Sequence, residues 1–222
     1  MKPTKQTRLM IALASALLLA PAGPARAADH AHAAAIPQAD KAAQTDAALR
    51  DLWLGHVFWV RNVVRETLAG NTGAAAVAEN EVVANARQIA DAIEPFYGKA
   101  ASDRLFELLA GHYAAVKKYL QATAAGSKPG QDEALAALTG NAADIARFLS
   151  GANPNLPFET VNGLLLAHGG HHVQQIQQIK AGQFGEEART WGEMRVHMYT
   201  VADALAGAIA LQFPAKFVAQ AR

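Results

Sequence analysis

Apolar residues recur every three or four positions along most of the chain, which is the spacing of amphipathic helices. Short stretches rich in glycine, proline and asparagine interrupt the pattern. The pattern predicts six helices, near residues 41–69, 74–94, 100–124, 130–150, 156–182 and 185–211. No run alternates as a strand would, and the sequence shows no strong internal repeat. We expect an all-α fold, an antiparallel bundle of about six helices with four long core helices.

The first 27 residues have the layout of a secretory signal peptide. Three basic residues precede the apolar run LMIALASALLLA, and a small-residue cleavage site, Ala-Arg-Ala, ends at residue 27. Because the apolar run is short for a bilayer, we expect no stable membrane span after cleavage. The protein is therefore expected to be periplasmic or secreted. The predicted organisation is a signal peptide at 1–27, a flexible leader at 28–40 and a helical-bundle domain at 41–222.

Charge and composition exclude several classes of function. Cleavage would remove four basic residues and change the formal charge from +1 to −3. The mature protein then has no basic stripe for nucleic acid. The absence of cysteine excludes disulfides, thiolate metal sites and covalent haem attachment. No nucleophile elbow, HExxH motif or phosphate-binding glycine loop occurs, so no enzymatic activity is predicted.

Four predicted helices each carry a histidine within an apolar row that faces the core. The rows are Leu49, Leu52, His56, Trp59 and Val63; Leu105, Leu108, His112, Val116 and Tyr119; Val161, Leu165, His168, His172 and Ile176; and Met194, His197, Val201 and Leu205. A buried imidazole needs partners for its ring nitrogens, and clustered neutral rings compete for protons. A metal ion removes this conflict because it accepts several imidazole lone pairs at once.

The histidine rows predict a metal site between the helices. Its expected ligands are His56, His112, His168 and His197, with His172 and Glu193 as further ligands. The pairs His168 and His172, and Glu193 and His197, are four residues apart, so each pair lies on one helix face. Iron, copper and zinc all accept imidazole ligands, and the sequence does not choose between them. His171 lies one step off its row and is expected to face solvent or a neighbouring helix.

A separate metal site at the mature N-terminus is also open. If cleavage follows residue 27, Ala28, Asp29 and His30 form a terminus of the kind that binds Cu(II) or Ni(II). The alternative is a loose leader whose histidines bind nothing.

Other polar residues are expected to support the central site. Side chains near apolar helix faces could orient the imidazoles, or could be ordinary helix-surface groups: Asn85, Asp91, Asn141 and Asp144. Arg61 is expected to pair with a carboxylate such as Glu66 or Asp144. Gly169 and Gly170 each weaken a helix by about 1 kcal/mol relative to alanine. We expect them to leave room for a neighbouring helix or a ligand.

Several segments resemble a family of uncharacterised secreted bacterial helical-bundle proteins. They carry the motifs LWxxHxxWxR, PxYG, NPN and QFP, which occur here at 52–61, 95–98, 153–155 and 212–214. The resemblance covers about residues 50–217 and implies a single-domain helical bundle. It includes positions matching His56, His112, His168 and His197, whereas His171 and His172 go beyond the pattern. No activity follows from it.

The sequence therefore predicts an exported metal-binding protein that stores, senses or transports a metal or uses it in redox chemistry. One alternative is a metal-free structural or interaction module of the cell envelope, with hydrogen-bonded or pH-responsive histidines. Another is a b-type haem held between helices by two axial histidines.

Overall fold

The structure is a computed structural model that describes residues 41–217. It contains six α-helices and a short 3-10 helix, Pro214–Lys216: α1 (Lys41–Leu68), α2 (Thr72–Tyr97), α3 (Lys99–Ala124), α4 (Lys128–Ala152), α5 (Phe158–Lys180) and α6 (Phe184–Gln212). These residues form no strand. The predicted all-α bundle is confirmed. All six helices, rather than four, exceed 20 residues.

The predicted signal peptide at 1–27, the leader at 28–40 and the copper motif starting at Ala28 lie outside the described residues. In the part of the chain that the structure describes, no helix combines the length and the apolarity needed to cross a membrane.

Three helices end in the same glycine-capped turn. Gly70, Gly126 and Gly182 have φ values of 79°, 67° and 70°, which glycine adopts without Cβ strain. In each turn the amide of the residue after the glycine donates to the carbonyl oxygen five residues earlier, as in Asn71 N–H to Glu66 O at 2.9 Å. This pattern satisfies the last carbonyls of the helix and reverses the chain. Each odd-numbered helix thereby forms an antiparallel hairpin with the helix that follows it.

The three hairpins close into a ring. Each helix packs against the helix before it and the helix after it, and α6 packs back against α1. The helices α1, α3 and α5, called the inner helices below, also meet around a common axis, because α5 packs against both α1 and α3. The centre of the bundle is therefore lined by one helix from each hairpin.

The hairpins are repeats of one unit with a period of 56 residues. The inner helices end at Leu68, Ala124 and Lys180, and their partners begin at Thr72, Lys128 and Phe184. Seven positions are buried in all three inner helices: Leu49, Leu105 and Val161; Trp53, Leu109 and Leu165; His56, His112 and His168; Val57, Tyr113 and Gly169; Val60, Val116 and His172; Val63, Tyr119 and Gln175; and Val64, Leu120 and Ile176. The expectation of no strong internal repeat was wrong.

A buried ion pair joins the first hairpin to the third. Arg61 of α1 binds Glu187 of α6 through two nearly parallel hydrogen bonds of 2.5 and 2.6 Å. Gln175 of α5 donates a third, at 3.1 Å, to the same carboxylate. Burial alone would raise the pKa of Glu187, but the hydrogen bonds and charge of Arg61 hold that pKa below its ordinary value. Arg61 therefore does not pair with Glu66 or Asp144, as the sequence suggested.

The two glycines in the middle of α5 have different surroundings. A Cβ added to Gly169 would lie 3.2 Å from Cδ2 of Leu138, so α4 approaches the α5 backbone closely there. A Cβ added to Gly170 would meet nothing within 4 Å. The expected role as space for a neighbouring helix holds for Gly169 and not for Gly170.

We therefore predict that Gly170→Ala stabilises the protein by about 0.5–1 kcal/mol, because alanine is the better helix former and its methyl group has room. Gly169→Ala should gain less or lose stability, because Leu138 must move. Urea unfolding of both variants beside the parent protein measures this difference. An equal gain in both variants would show that Gly169 is under no packing constraint.

Candidate metal centre

Four imidazole rings meet at the centre of the bundle. His56, His112 and His168 occupy one position of the repeat on the three inner helices, and His172 follows one turn later on α5. Each of the four side chains is at most 3% exposed. Their burial agrees with the rows predicted for these helices. The third row is buried throughout, from Val161 to Ile176.

The rings pack directly against one another. Their centroids are 4.5 Å apart for His168 and His172, 5.4 Å for His112 and His168, and 5.6 Å for His56 and His168. The remaining contacts, from His172 to His56 and to His112, are 6.0 and 6.4 Å. One nitrogen each of His56, His168 and His172 lie within 4.8 Å of one another. The His112 ring stacks on His168 at 17° and stands beside this group of three.

Several ring nitrogens have no protein partner. Nε2 of His168 lies 3.2 Å from Nε2 of His172, so one of the two must donate and the other accept. Nδ1 of His56, Nε2 of His112 and Nδ1 of His168 are buried without a hydrogen-bond partner. Unpaired buried nitrogens are costly, and three of them in one cluster point to a missing ligand.

Burial keeps these rings neutral. Desolvation, helped by the neighbouring His112, lowers the pKa of His56 to about 3. Desolvation lowers the pKa of His112 to about 4, although the hydrogen bond from Asn141 opposes it. The pKa values of His168 and His172 lie well below the ordinary value, first through desolvation and then through the other rings. Neutral imidazoles offer lone pairs, which is the form that binds metals.

His172 departs from the threefold pattern. The same position of the repeat is Val60 on α1 and Val116 on α3, and both are buried. A fourth imidazole therefore stands on one side of an otherwise threefold cluster. The fourth ring gives the centre one extra nitrogen donor at helical spacing from His168.

The structure does not bring His197 and Glu193 into this cluster. On α6 the buried positions are Met194, Met198 and Val201, so the row predicted through His197 was rotated away from the true core face. Glu193 is exposed and His197 is half-buried. The ring of His197 lies 5.5 Å from that of His171, which is half-buried against the neighbouring helix.

Two of the four residues proposed to support the site contact its surroundings. Asn141 Oδ1 lies 3.2 Å from Nδ1 of His112, and its Nδ2 donates to Leu108 O at 3.0 Å. Asn85 donates to Leu52 O at 3.0 Å, while its Oδ1 is buried and unpaired. The carboxylates contact surface arginines instead. They are Asp91, bound to Arg87, and Asp144, bound to Arg147.

Comparison of the chain with protein-family models, curated proteins and solved structures gave no match. The geometry of the histidine cluster is therefore the basis for the function.

The depressed pKa values predict acid sensitivity. Above pH 6.5 the buried histidines are neutral in both states. As the pH falls, the unfolded chain binds protons that native His56 and His112 refuse until about pH 3 and about pH 4. Each ring therefore lowers the unfolding free energy by up to about 1.4 kcal/mol per pH unit through that window.

We expect His56→Gln to remove about 1.4 kcal/mol per pH unit from this slope between pH 6 and 4.5. Urea unfolding of the metal-free protein at several pH values measures it. His171→Gln, which removes a half-buried ring, is the control and should change the slope less. Parallel profiles for the parent and His56→Gln would contradict buried neutral imidazoles.

Proposed function

We propose that this protein binds a single transition-metal ion at the centre of the helical bundle. The ligands are His56, His168 and His172, and His112 stands ready as a fourth. The observation that carries the proposal is the group of three buried imidazole nitrogens within 4.8 Å of one another. The unpaired nitrogens around it support the same conclusion, because an ion would satisfy rings that cannot all satisfy each other.

The spacing suits a metal with short bonds to nitrogen. Bonds of about 2.0–2.1 Å in tetrahedral geometry place neighbouring nitrogens about 3.3 Å apart. Nε2 of His168 and Nε2 of His172 are 3.2 Å apart. Small movements of His56 and His112 would complete the set. Zinc, copper and iron all accept such ligands.

The rings favour an ion over a porphyrin. All four imidazoles are in direct contact through centroids 4.5 to 6.4 Å apart. A haem plane between any two of them would have to displace the other rings and the inner helices that carry them. A single ion requires only small shifts of side chains that already converge.

The ligand group is neutral, since it contains imidazole and no carboxylate. A divalent ion would therefore carry its full charge into an apolar interior unless it brought a hydroxide or another anion. Desolvation cost rises with the square of the charge, so Cu(I) incurs about one quarter of the cost of a divalent ion of similar size. Cu(I), or a divalent ion with an added anion, fits this site best.

Burial of every ligand favours retention of the ion. Each histidine of the cluster is at most 3% exposed, so the bundle must open for an ion to enter or leave. Slow exchange of this kind suits storage, transport or redox use of a metal more than rapid sensing. We place this role in the periplasm or outside the cell, on the strength of the N-terminal sequence pattern.

The metal proposal predicts stoichiometric uptake by the mature, untagged protein. Titration with Cu(I), Zn(II) and Fe(II) under anaerobic conditions, followed by gel filtration and mass spectrometry, should show one tightly held ion per chain. An ion at 100 times its Kd should raise the unfolding free energy by about 2.7 kcal/mol. His56→Ala and His172→Ala should abolish stoichiometric retention.

Two matched variants serve as controls. Glu193→Ala removes an exposed carboxylate and His171→Ala removes a half-buried imidazole, and both should retain the ion. No stoichiometric uptake by the parent protein, or equal loss in the controls, would overturn the proposal. The metal-free structural module would then be the better account.

A further inference from the structure

A hydrogen bond at the edge of the histidine cluster recurs in all three hairpins. In each, a side chain from the second helix donates to the carbonyl oxygen of a leucine 33 residues earlier. The three bonds are Asn85 Nδ2 to Leu52 O at 3.0 Å, Asn141 Nδ2 to Leu108 O at 3.0 Å, and His197 Nε2 to Leu164 O at 2.9 Å. Each leucine stands four residues before the axial histidine of its helix, that is His56, His112 or His168.

This bond fixes the direction of the amide. Because Nδ2 of Asn141 is committed to Leu108 O, its Oδ1 faces Nδ1 of His112 at 3.2 Å. A carbonyl oxygen only accepts, so Nδ1 of His112 must carry the proton. The lone pair of the ring then resides on Nε2. That atom is the buried nitrogen of His112 with no partner.

The first hairpin contains the same two groups as an unpaired couple. Nδ1 of His56 and Oδ1 of Asn85 are both buried without a partner, at the positions where His112 and Asn141 are bonded. A small closure would satisfy both atoms at once.

The third hairpin replaces the amide by an imidazole. His197 uses Nε2 as the donor to Leu164 O, which leaves its Nδ1 as an acceptor. This donor and acceptor order is that of the asparagine amide. Nδ1 of His168 is unpaired, and His197 is close enough to interact with it electrostatically.

The residue before the axial histidine reflects this exchange. A Cβ added to Gly55 or Gly111 would lie 3.1 Å from the amide nitrogen of Asn85 or Asn141. The asparagine therefore needs a glycine opposite it. In the third hairpin the same position is Ala167, and the partner is His197.

We infer that Asn85, Asn141 and His197 are equivalent positioning residues, each of which accepts the Nδ1 proton of one axial histidine and turns its Nε2 lone pair toward a shared metal. This inference rests on the proposed function for the identity of the ligand, and the tautomers can be read without metal. His197, expected from sequence to be a ligand, acts through His168. His172 has no equivalent positioning residue, so in the metal-free protein its Nε2 donates to Nε2 of His168.

Long-range ¹⁵N–¹H NMR spectra of the metal-free protein labelled at histidine nitrogen test the tautomers directly. His56, His112 and His168 should be protonated at Nδ1, and His172 at Nε2. Asn141→Ala should allow His112 to populate both tautomers, whereas Asn141→Asp keeps the acceptor and should keep the Nδ1 proton. His197→Leu should release His168, and His197→Asn should restore it.

Affinity provides the second readout. Asn141→Ala and His197→Leu should each weaken binding of the ion that the parent retains by 10- to 100-fold, and the conservative variants should recover most of the loss. Asn80→Ala, at an exposed position of α2, is the matched control and should change neither tautomer nor affinity. Circular dichroism confirms that each variant is folded.

The two conclusions fail separately. Nε2 protonation of His112 in the parent, or tautomers unchanged by Asn141→Ala and His197→Leu, would overturn the positioning inference even if metal binds. The expected tautomers in a protein that takes up no metal would overturn the proposed function and leave the positioning intact.

Discussion

Packing imidazole rings into the middle of a helical bundle is the constraint on which the rest of this structure depends. Each ring has two nitrogens that need partners, and a fully buried group cannot turn to water for them. His56, His112, His168 and His172 face mostly one another, so neutral rings leave some nitrogens unsatisfied. A core of valine and leucine at these positions would avoid that cost, which is why the cluster is difficult to explain as packing alone.

The threefold repeat explains how one chain can assemble such a centre. A single hairpin would present one histidine to its neighbours. Three copies in a closed ring bring three equivalent histidines onto a common axis without any loop having to shape the site. The glycine caps at Gly70, Gly126 and Gly182 keep the hairpins the same length, so His56, His112 and His168 reach the same level. His172 then adds the asymmetry that a fourth donor requires.

Much of this could be predicted from the sequence, and the failures have physical causes. The helices and three of the histidine rows followed from periodicity, since glycine and proline mark the ends. The row on α6 was wrong because apolar residues also fit a stripe through His197, and only packing shows that Met198 faces inward. The repeat was overlooked because few residues are identical between hairpins. The constant 56-residue interval between His56, His112 and His168, and between the capping glycines, was the available signal.

The positioning groups bear on the charge of the bound ion. Carboxylates commonly orient metal-binding histidines and also offset the charge of the metal. Here the corresponding groups are two amides, Asn85 and Asn141, and the imidazole of His197, so the neutrality of the ligands extends one layer further out. The buried carboxylate of Glu187 is already paired with Arg61. A divalent ion would find little negative charge around it, and an anion or a lower oxidation state must supply the difference. The choice of asparagine over aspartate at these positions thus sets the electrostatics of the centre as well as its geometry.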